Sequence, residues 1–302
     1  MRKKLMFITA GFAAAALALT GCADTASTGG ASGAATDAAD APAFEVATEV
    51  DLTGSPTYDK IKADGSVTIG VKEDQPGLGY LDPTTGERSG FDIEIAEWLA
   101  ASLGVAEEDI DFKAIPSANR EQALVNGDID FYVGTYSITD ARKAQVGFSG
   151  PYYVTGQQLL VQADNDTIKS VDDLNADTTV CSAAGSTPLQ RIQTEYPEVP
   201  TVSNDTYSLC VSGLLDGTND VVTTDGAILL GYASQQPDAL KVVGDAFSTE
   251  NYGVGVPLAD AALRHYFNTV FTEGGDTWQD IYDGTLGLSG TEATQPEVDD
   301  YQ

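Results

Sequence analysis

Residues 134–143 read GTYSITDARK, and they put two bases, Arg142 and Lys143, in the first turn of a helix that Thr139 and Asp140 start. The positive end of a helix dipole repels cations at that place. The choice is costly in a chain with 15 Lys and Arg against 46 Asp and Glu. A guanidinium fork matches the two oxygens of a carboxylate, so Arg142 makes sense there once a small anion completes it. Asp225 follows two threonines at the end of the apolar run DVVTTD (220–225) and suits an ammonium. Arg120 in SANRE and Lys72 in VKEDQP are two more scarce bases at the junctions of apolar runs. SAAGSTP (182–188) is a glycine turn leading into a helix, with Thr187 at the cap and Pro188 at the first position. Such a start turns unpaired backbone N–H groups toward an anion. These are the parts needed to hold a small zwitterion away from water, its carboxylate on a cation and its ammonium on an anion.

Parts for covalent or metal catalysis do not emerge. There is no G-x-S-x-G elbow, no H-E-x-x-H and no Walker lysine loop. GVGV (253–256) lies in an apolar strand and lacks a third glycine. His265, the one histidine, sits in the helical stretch ALRHYFNTVF and reads as a surface or core-edge residue. No cofactor and no metal is expected. Glu73, Asp74 and Asp225 could in principle do acid–base work, but Arg142 with Asp225 matches capture better than turnover.

The elements that position these residues alternate. SVTIGV (66–71), IDFKAI (110–115), IDFYVGT (129–135), TVCSAA (179–184) and DVVTTD read as strands. FDIEIAEWLAASLG (91–104), NREQALVNG (119–127), GSTPLQRIQTEY (185–196) and YSLCVSGLLDG (207–217) read as helices. The alternation predicts an α/β fold with parallel sheets covered by helices on both faces. LVNGDIDFYVGTYS (124–137) and LLDGTNDVVTTDGA (214–227) share one plan, a helix end, a glycine turn and a strand ending in small hydroxylic residues. Two lobes on that plan would set Thr135, Tyr136 and Ser137 at one strand end and Thr224 and Asp225 at another, where open α/β sheets bind ligands.

The N-terminus is a leader by composition. MRKK is a cationic start, an apolar run follows, and LTGC ends it at Cys22. This resembles the lipobox of bacterial lipoproteins, which implies a signal peptide over 1–21 and an acylated Cys22. Residues 22–57 are rich in Ala, Thr, Gly, Ser and Asp and read as a disordered tether. No later stretch has the ~18 apolar residues of a spanning helix. The expected location is the outer face of the cytoplasmic membrane, lipid-anchored. An oxidising compartment lets Cys181 and Cys210 form a disulfide. The net charge of −31 argues against nucleic acid and anionic lipid as partners and favours a monomer.

GVKEDQPGLGY, SGFDIEIAEWLA, the long run from PSANRE through TYSITDARK to SGPYYVTGQQLLV, CSAAGSTPLQRI, VTTDGAILLGYA and NYGVGV resemble the family-3 solute-binding proteins of polar amino acid ABC transporters. Among these they are most similar to glutamate-binding lipoproteins of Gram-positive bacteria. The resemblance implies a two-lobe type II periplasmic-binding-protein fold with two hinge strands and a ligand cleft. It implies a free amino acid ligand and ABC permease partners. Lobe 1 would comprise residues 58–156 and 253–302, and lobe 2 residues 157–252, with the acidic end TEATQPEVDDYQ as a tail along lobe 1. The family pattern assigns the α-carboxylate to Arg142, helped by Ser137 and the helix start at Thr187. It assigns the α-ammonium to Asp225 with a carbonyl near Thr135. Tyr136 belongs to the same ligand-binding segment. Arg120 and Lys72 would meet a side-chain carboxylate, which favours glutamate or aspartate. Glu73 departs from the pattern and opposes a second negative charge, so glutamine or asparagine stays open. A few relatives on this fold are dehydratases.

Overall fold

The structure is a computed structural model that describes residues 44–301. The expected signal segment, Cys22 and the first part of the tether lie outside the described residues. The tether ends sooner than its composition suggests. From Phe44 the chain is packed: the Ala47 N–H donates to the Ala101 carbonyl at 2.9 Å, and Phe44, Val50 and Leu52 join a hydrophobic core. A few apolar side chains among polar ones suffice where a helix surface is already there to receive them. Helix α1 (Pro56–Asp64) then starts on Ser55, whose hydroxyl accepts the Tyr58 N–H, and stops at Gly65 with φ +70°.

The first lobe is built in chain order from β1 (Val67–Val71), a small meander of β2 (Asp74–Gln75), β3 (Gly79–Leu81) and β4 (Arg88–Ser89), then α2 (Phe91–Ser102) and β5 (Ile110–Ala114). It continues through α3 (Arg120–Asn126), β6 (Phe131–Tyr132), the single turn α4 (Asp140–Lys143) and β7 (Gly147–Thr155). Only Gly156 separates β7 from β8 (Gln157–Gln162) in the second lobe. There follow β9 (Val180–Ala183), α5 (Thr187–Glu195), β10 (Thr201–Asn204), α6 (Tyr207–Leu215), β11 (Val221–Asp225), α7 (Gly226–Gln235) and β12 (Leu240–Val243). Strand β13 (Glu250–Val256) returns the chain to the first sheet, and α8 (Ala261–Glu273) and α9 (Gly275–Gly284) close that lobe.

The two main sheets run β5-β1-β6-β13-β7 and β10-β9-β11-β8-β12. Each keeps a parallel trio, β5-β1-β6 and β10-β9-β11, as the α/β alternation requires. Purely parallel sheets, as the alternation predicted, are not what forms. β13 is antiparallel to β6 and β7, and β8 is antiparallel to β11 and β12. These strands carry the chain between the lobes without a helical crossover, so nothing forces them to run with their neighbours. The strand expected over 129–135 pairs only at Phe131–Tyr132. Beyond it the backbone turns, and Thr135 takes φ +46°.

Cys181 of β9 and Cys210 of α6 form the expected disulfide, with Cα atoms 5.5 Å apart, inside the second lobe. The acidic tail lies on the first lobe. Asp299 N–H donates to the Gly150 carbonyl at 2.9 Å, and the Tyr301 hydroxyl accepts the Phe148 N–H at 2.7 Å. His265 is half exposed and pairs with Asp300 at 2.8 Å, a surface role as its helical setting predicts.

Candidate functional site

Arg142 sits on α4, whose start is fixed by the Thr139 hydroxyl accepting the Arg142 N–H. Because α4 is one turn long, its two bases occupy its last turn as much as its first, and the dipole penalty expected from the sequence does not arise. The side chain is buried, only 6% exposed. Its guanidinium donates to the Ser137 carbonyl at 2.7 Å and to Glu121 Oε1 at 3.0 Å. It reaches the second lobe at Thr187 Oγ1 (2.9 Å) and the Gly185 carbonyl (3.1 Å). Burial and the neighbouring Arg120 lower its pKa to about 10, against the pull of Glu121. Thr187 is not the helix cap that the sequence suggested. Ser186 caps α5 through the Leu189 N–H, which leaves the Thr187 hydroxyl to Arg142.

Arg120 opens α3 and is 2% exposed. It lies over the face of Tyr136, its Cζ 4.1 Å from the ring centre, and Arg142 lies 5.2 Å from the same ring. A π face close to both guanidinium groups offsets part of their repulsion. Tyr136 is held by edge contacts with Tyr132 and Phe148, and burial raises its phenol pKa strongly. Lys72, at the end of β1, is buried and donates to Ser117 Oγ at 2.8 Å. No carboxylate comes within ion-pair distance of it among the described residues. Burial and then the charge of Arg120 push its pKa down to about 7.

Asp225 ends β11 at the mouth of α7 and is 2% exposed. Its Oδ2 accepts the Tyr252 hydroxyl at 2.7 Å. Burial, with Glu250 second, raises its pKa to about 7, while the Tyr252 hydrogen bond and the charges of Arg120 and Arg142 pull it back. Thr135 adopts a left-handed conformation rare for a β-branched residue. It is pinned by its N–H on Asp92 Oδ2 (2.9 Å) and its hydroxyl on Gln75 Oε1 (3.1 Å), and its carbonyl faces Arg120 at 3.5 Å. Strain of that kind persists where the surroundings over-determine it.

Arg142, Arg120, Lys72, Asp225, Thr135, Tyr136, Ser137 and Thr187 thus converge between the two sheets. Glu73 is the outermost of the set, lining with Lys72 the small cavity that borders the others. Its side chain is 48% exposed and 3.8 Å from Arg88, on the rim. Three participants escaped sequence reasoning: Glu121 on Arg142, and Asp92 and Gln75 behind Thr135. Asp92 also accepts the Tyr152 hydroxyl, and burial raises its pKa to about 6.

The decisive feature is a set of orphans. Seven buried side-chain polar atoms among the described residues have no hydrogen-bond partner, and five of them are here: Gln75 Nε2, Arg120 Nε, Tyr136 Oη, Thr224 Oγ1 and Asp225 Oδ1. Each such group costs about 1–3 kcal/mol when left unpaired. Arg120 Nε has only Glu121 Oε1 near it, at 4.0 Å, and the buried donors and acceptors gathered here, from a guanidinium and a carboxylate among others, suit a polar amino acid. A cavity of about 80 Å³ borders the site, its walls including Lys72, Glu73, Asp74, Ile115, Pro116 and Tyr207.

The sequence model of the bacterial extracellular solute-binding proteins, family 3, matches residues 67–285. The chain belongs to that family. The solute-binding protein is 39% identical over 213 residues to the glutamate-binding protein GluB of Corynebacterium efficiens, spanning 68% of this chain and 72% of the relative. It is 37% identical over 212 residues to the ABC transporter glutamine-binding protein GlnH of Bacillus subtilis, spanning 70% and 77%. Among solved structures, the cysteine-binding protein from Campylobacter jejuni superposes with a TM-score of 0.73 at 27% identity, covering 80% of this chain and 98% of that one. The solute-binding protein therefore has the two-lobe type II periplasmic-binding fold and is an extracellular amino acid-binding component of an ABC transporter.

Proposed function

We propose that the protein captures L-glutamate, with L-aspartate as the nearest competitor, in the cleft between its lobes. Arg142 takes the α-carboxylate together with Ser137 and the start of α5 at Thr187. Binding requires Glu121 to share or yield its hold on the guanidinium. Asp225 takes the α-ammonium with the Thr135 carbonyl. Arg120 and Lys72 take the side-chain carboxylate. The observation that carries this reading is the set of five buried side chains that each keep a polar atom without a hydrogen-bond partner, Arg120 and Asp225 among them, beside the buried cations Arg142 and Lys72. The glutamate-binding relative supports the same ligand.

The sheet that β1 and β13 share and the sheet built around β9 support a division into lobe 1 (58–156 and 253–302) and lobe 2 (157–252). Closing of one lobe on the other would be driven by ligand contacts made only in the closed state. We further propose a mature N-terminus acylated at Cys22 and a permease that accepts the closed form.

A second reading, glutamine, has one observation in its favour. Lys72 is buried against the Ser117 hydroxyl, and burial lowers its pKa to about 7, which favours an uncharged partner such as an amide. Isothermal titration of the purified protein with glutamate, aspartate, glutamine and asparagine separates the two. Tighter binding of glutamine than glutamate at pH 6.5 would exclude the acidic assignment.

A further inference from the structure

A second line of contacts between the lobes runs through Asp74, on the β2 meander of the first lobe. Its Oδ2 accepts the backbone N–H groups of Tyr207 (2.9 Å) and Ser208 (3.2 Å), the first two residues of α6 in the second lobe. A carboxylate at that helix end satisfies two donors that α6 cannot satisfy itself and sits at the positive end of its dipole. The Tyr232 hydroxyl of α7 donates to the Asp74 carbonyl and lies 3.2 Å from the same Oδ2. Two residues on, the Pro76 carbonyl presses on α7 where only a glycine fits: a Cβ on Gly231 would stand 2.2 Å from that oxygen. Asp74 therefore joins lobe to lobe through groups other than those assigned to the amino acid backbone.

We propose that Asp74 is a latch that holds the lobes closed and sets affinity through the open–closed balance. The proposal rests on the site being a cleft between closing lobes. Apparent affinity scales with the fraction of molecules in the competent closed state. A latch of this kind changes the affinity for every ligand by one factor and leaves their ratio alone, whereas Arg120 and Lys72 act on the ratio. Asp74 also borders the cavity beside Lys72, so its removal alters charge there. Gly231→Ala leaves charge untouched and wedges the same seam, in a helix where alanine is at home.

The test uses Asp74→Ala and Gly231→Ala in the otherwise intact protein, with thermal melting to confirm that each folds. Small-angle scattering without ligand is expected to show a larger radius of gyration for both variants than for the wild type. Calorimetry with L-glutamate and with L-glutamine is expected to show both affinities reduced by about tenfold, a usual size for such coupling. For Gly231→Ala the glutamate-to-glutamine ratio is expected to stay constant. Unchanged dimensions in solution together with affinities within twofold of wild type would overturn the latch. A wild type that binds neither probe would sink the ligand assignment, and the scattering comparison would still judge the latch.

Discussion

The Asp225 carboxylate and the Tyr252 hydroxyl meet at 2.7 Å, joining the end of β11 in the second lobe to the returning strand β13. One carboxylate oxygen is thereby satisfied and the other, buried, has no hydrogen-bond partner. The pKa of about 7 follows from burial first and the Glu250 charge second, which outweigh the pull of the Tyr252 hydrogen bond and of the two arginines. An Asp raised in the native state takes up a proton on folding between its unfolded value and 7, so native stability falls as pH rises through that window. Asp225→Asn is expected to raise the stability of the ligand-free protein at pH 8 by about 2 kcal/mol and to change it little at pH 4. The same variant is expected to lose measurable amino acid binding. Chemical denaturation at the two pH values and calorimetry check both halves.

Affinity for glutamate is expected to pass through a maximum near pH 7. Below it Asp225 is neutralised and no longer balances an ammonium. Above it Lys72, lowered to about 7, loses the proton that a side-chain carboxylate needs. Glutamine does not depend on the lysine charge and is expected to keep its affinity on the alkaline side. Titrations from pH 5 to 9 with both amino acids reveal the difference, and parallel curves would remove Lys72 from the side-chain site.

Arg142→Lys is expected to weaken binding by about 2–4 kcal/mol despite keeping the charge, because an ammonium cannot reproduce the fork. It also cannot span Ser137, Thr187 and Gly185 together. Near-native affinity in this variant, measured by calorimetry, would move the α-carboxylate elsewhere.

Arg120→Gln is expected to shrink the preference for glutamate over glutamine by at least about tenfold, the effect of removing one charge-assisted bond. Glutamine affinity is expected to change much less. Equal losses for both ligands would make Arg120 a support for Tyr136 rather than a selector.

Tyr301→Phe is expected to lower stability by about 1 kcal/mol with no effect on ligand affinity, since it leaves the Phe148 N–H without its acceptor. The ring contacts with Lys143 (4.0 Å) and Arg264 (4.6 Å) survive that change. Differential scanning calorimetry, with and without ligand, tests it.

Scarcity decided what could be read from the sequence. With 15 bases in the chain, each Lys or Arg at a strand end stood out, and Arg142, Arg120 and Lys72 do converge on the cleft. With 46 acids, no single one did. Asp225 was legible through its position after a strand. Asp92 and Glu121 were not, because the partners that give them meaning, Thr135 and Arg142, lie 43 and 21 residues away. The α/β alternation placed α2, α3, α5 and α6 to within two residues, but not α1, α7 or α9, nor the direction of β8 and β13. Direction there follows from how the chain travels between lobes, which no local pattern encodes. Thr187 and Ser186 are equal candidates for a cap by residue type. Only the presence of Arg142 across the cleft separates their roles.

The segment from Phe44 rests on α2 of the first lobe, and the tail ending at Tyr301 rests on β7 and α8 of that same half. On the proposed lobe division, anything fused to either end of the folded part travels with the first lobe only. A fluorescent reporter of ligand uptake built on this scaffold therefore needs one of its dyes at an interior site, such as the turn between α5 and β10. A pair attached at the two extremities would register nothing when the other half swings.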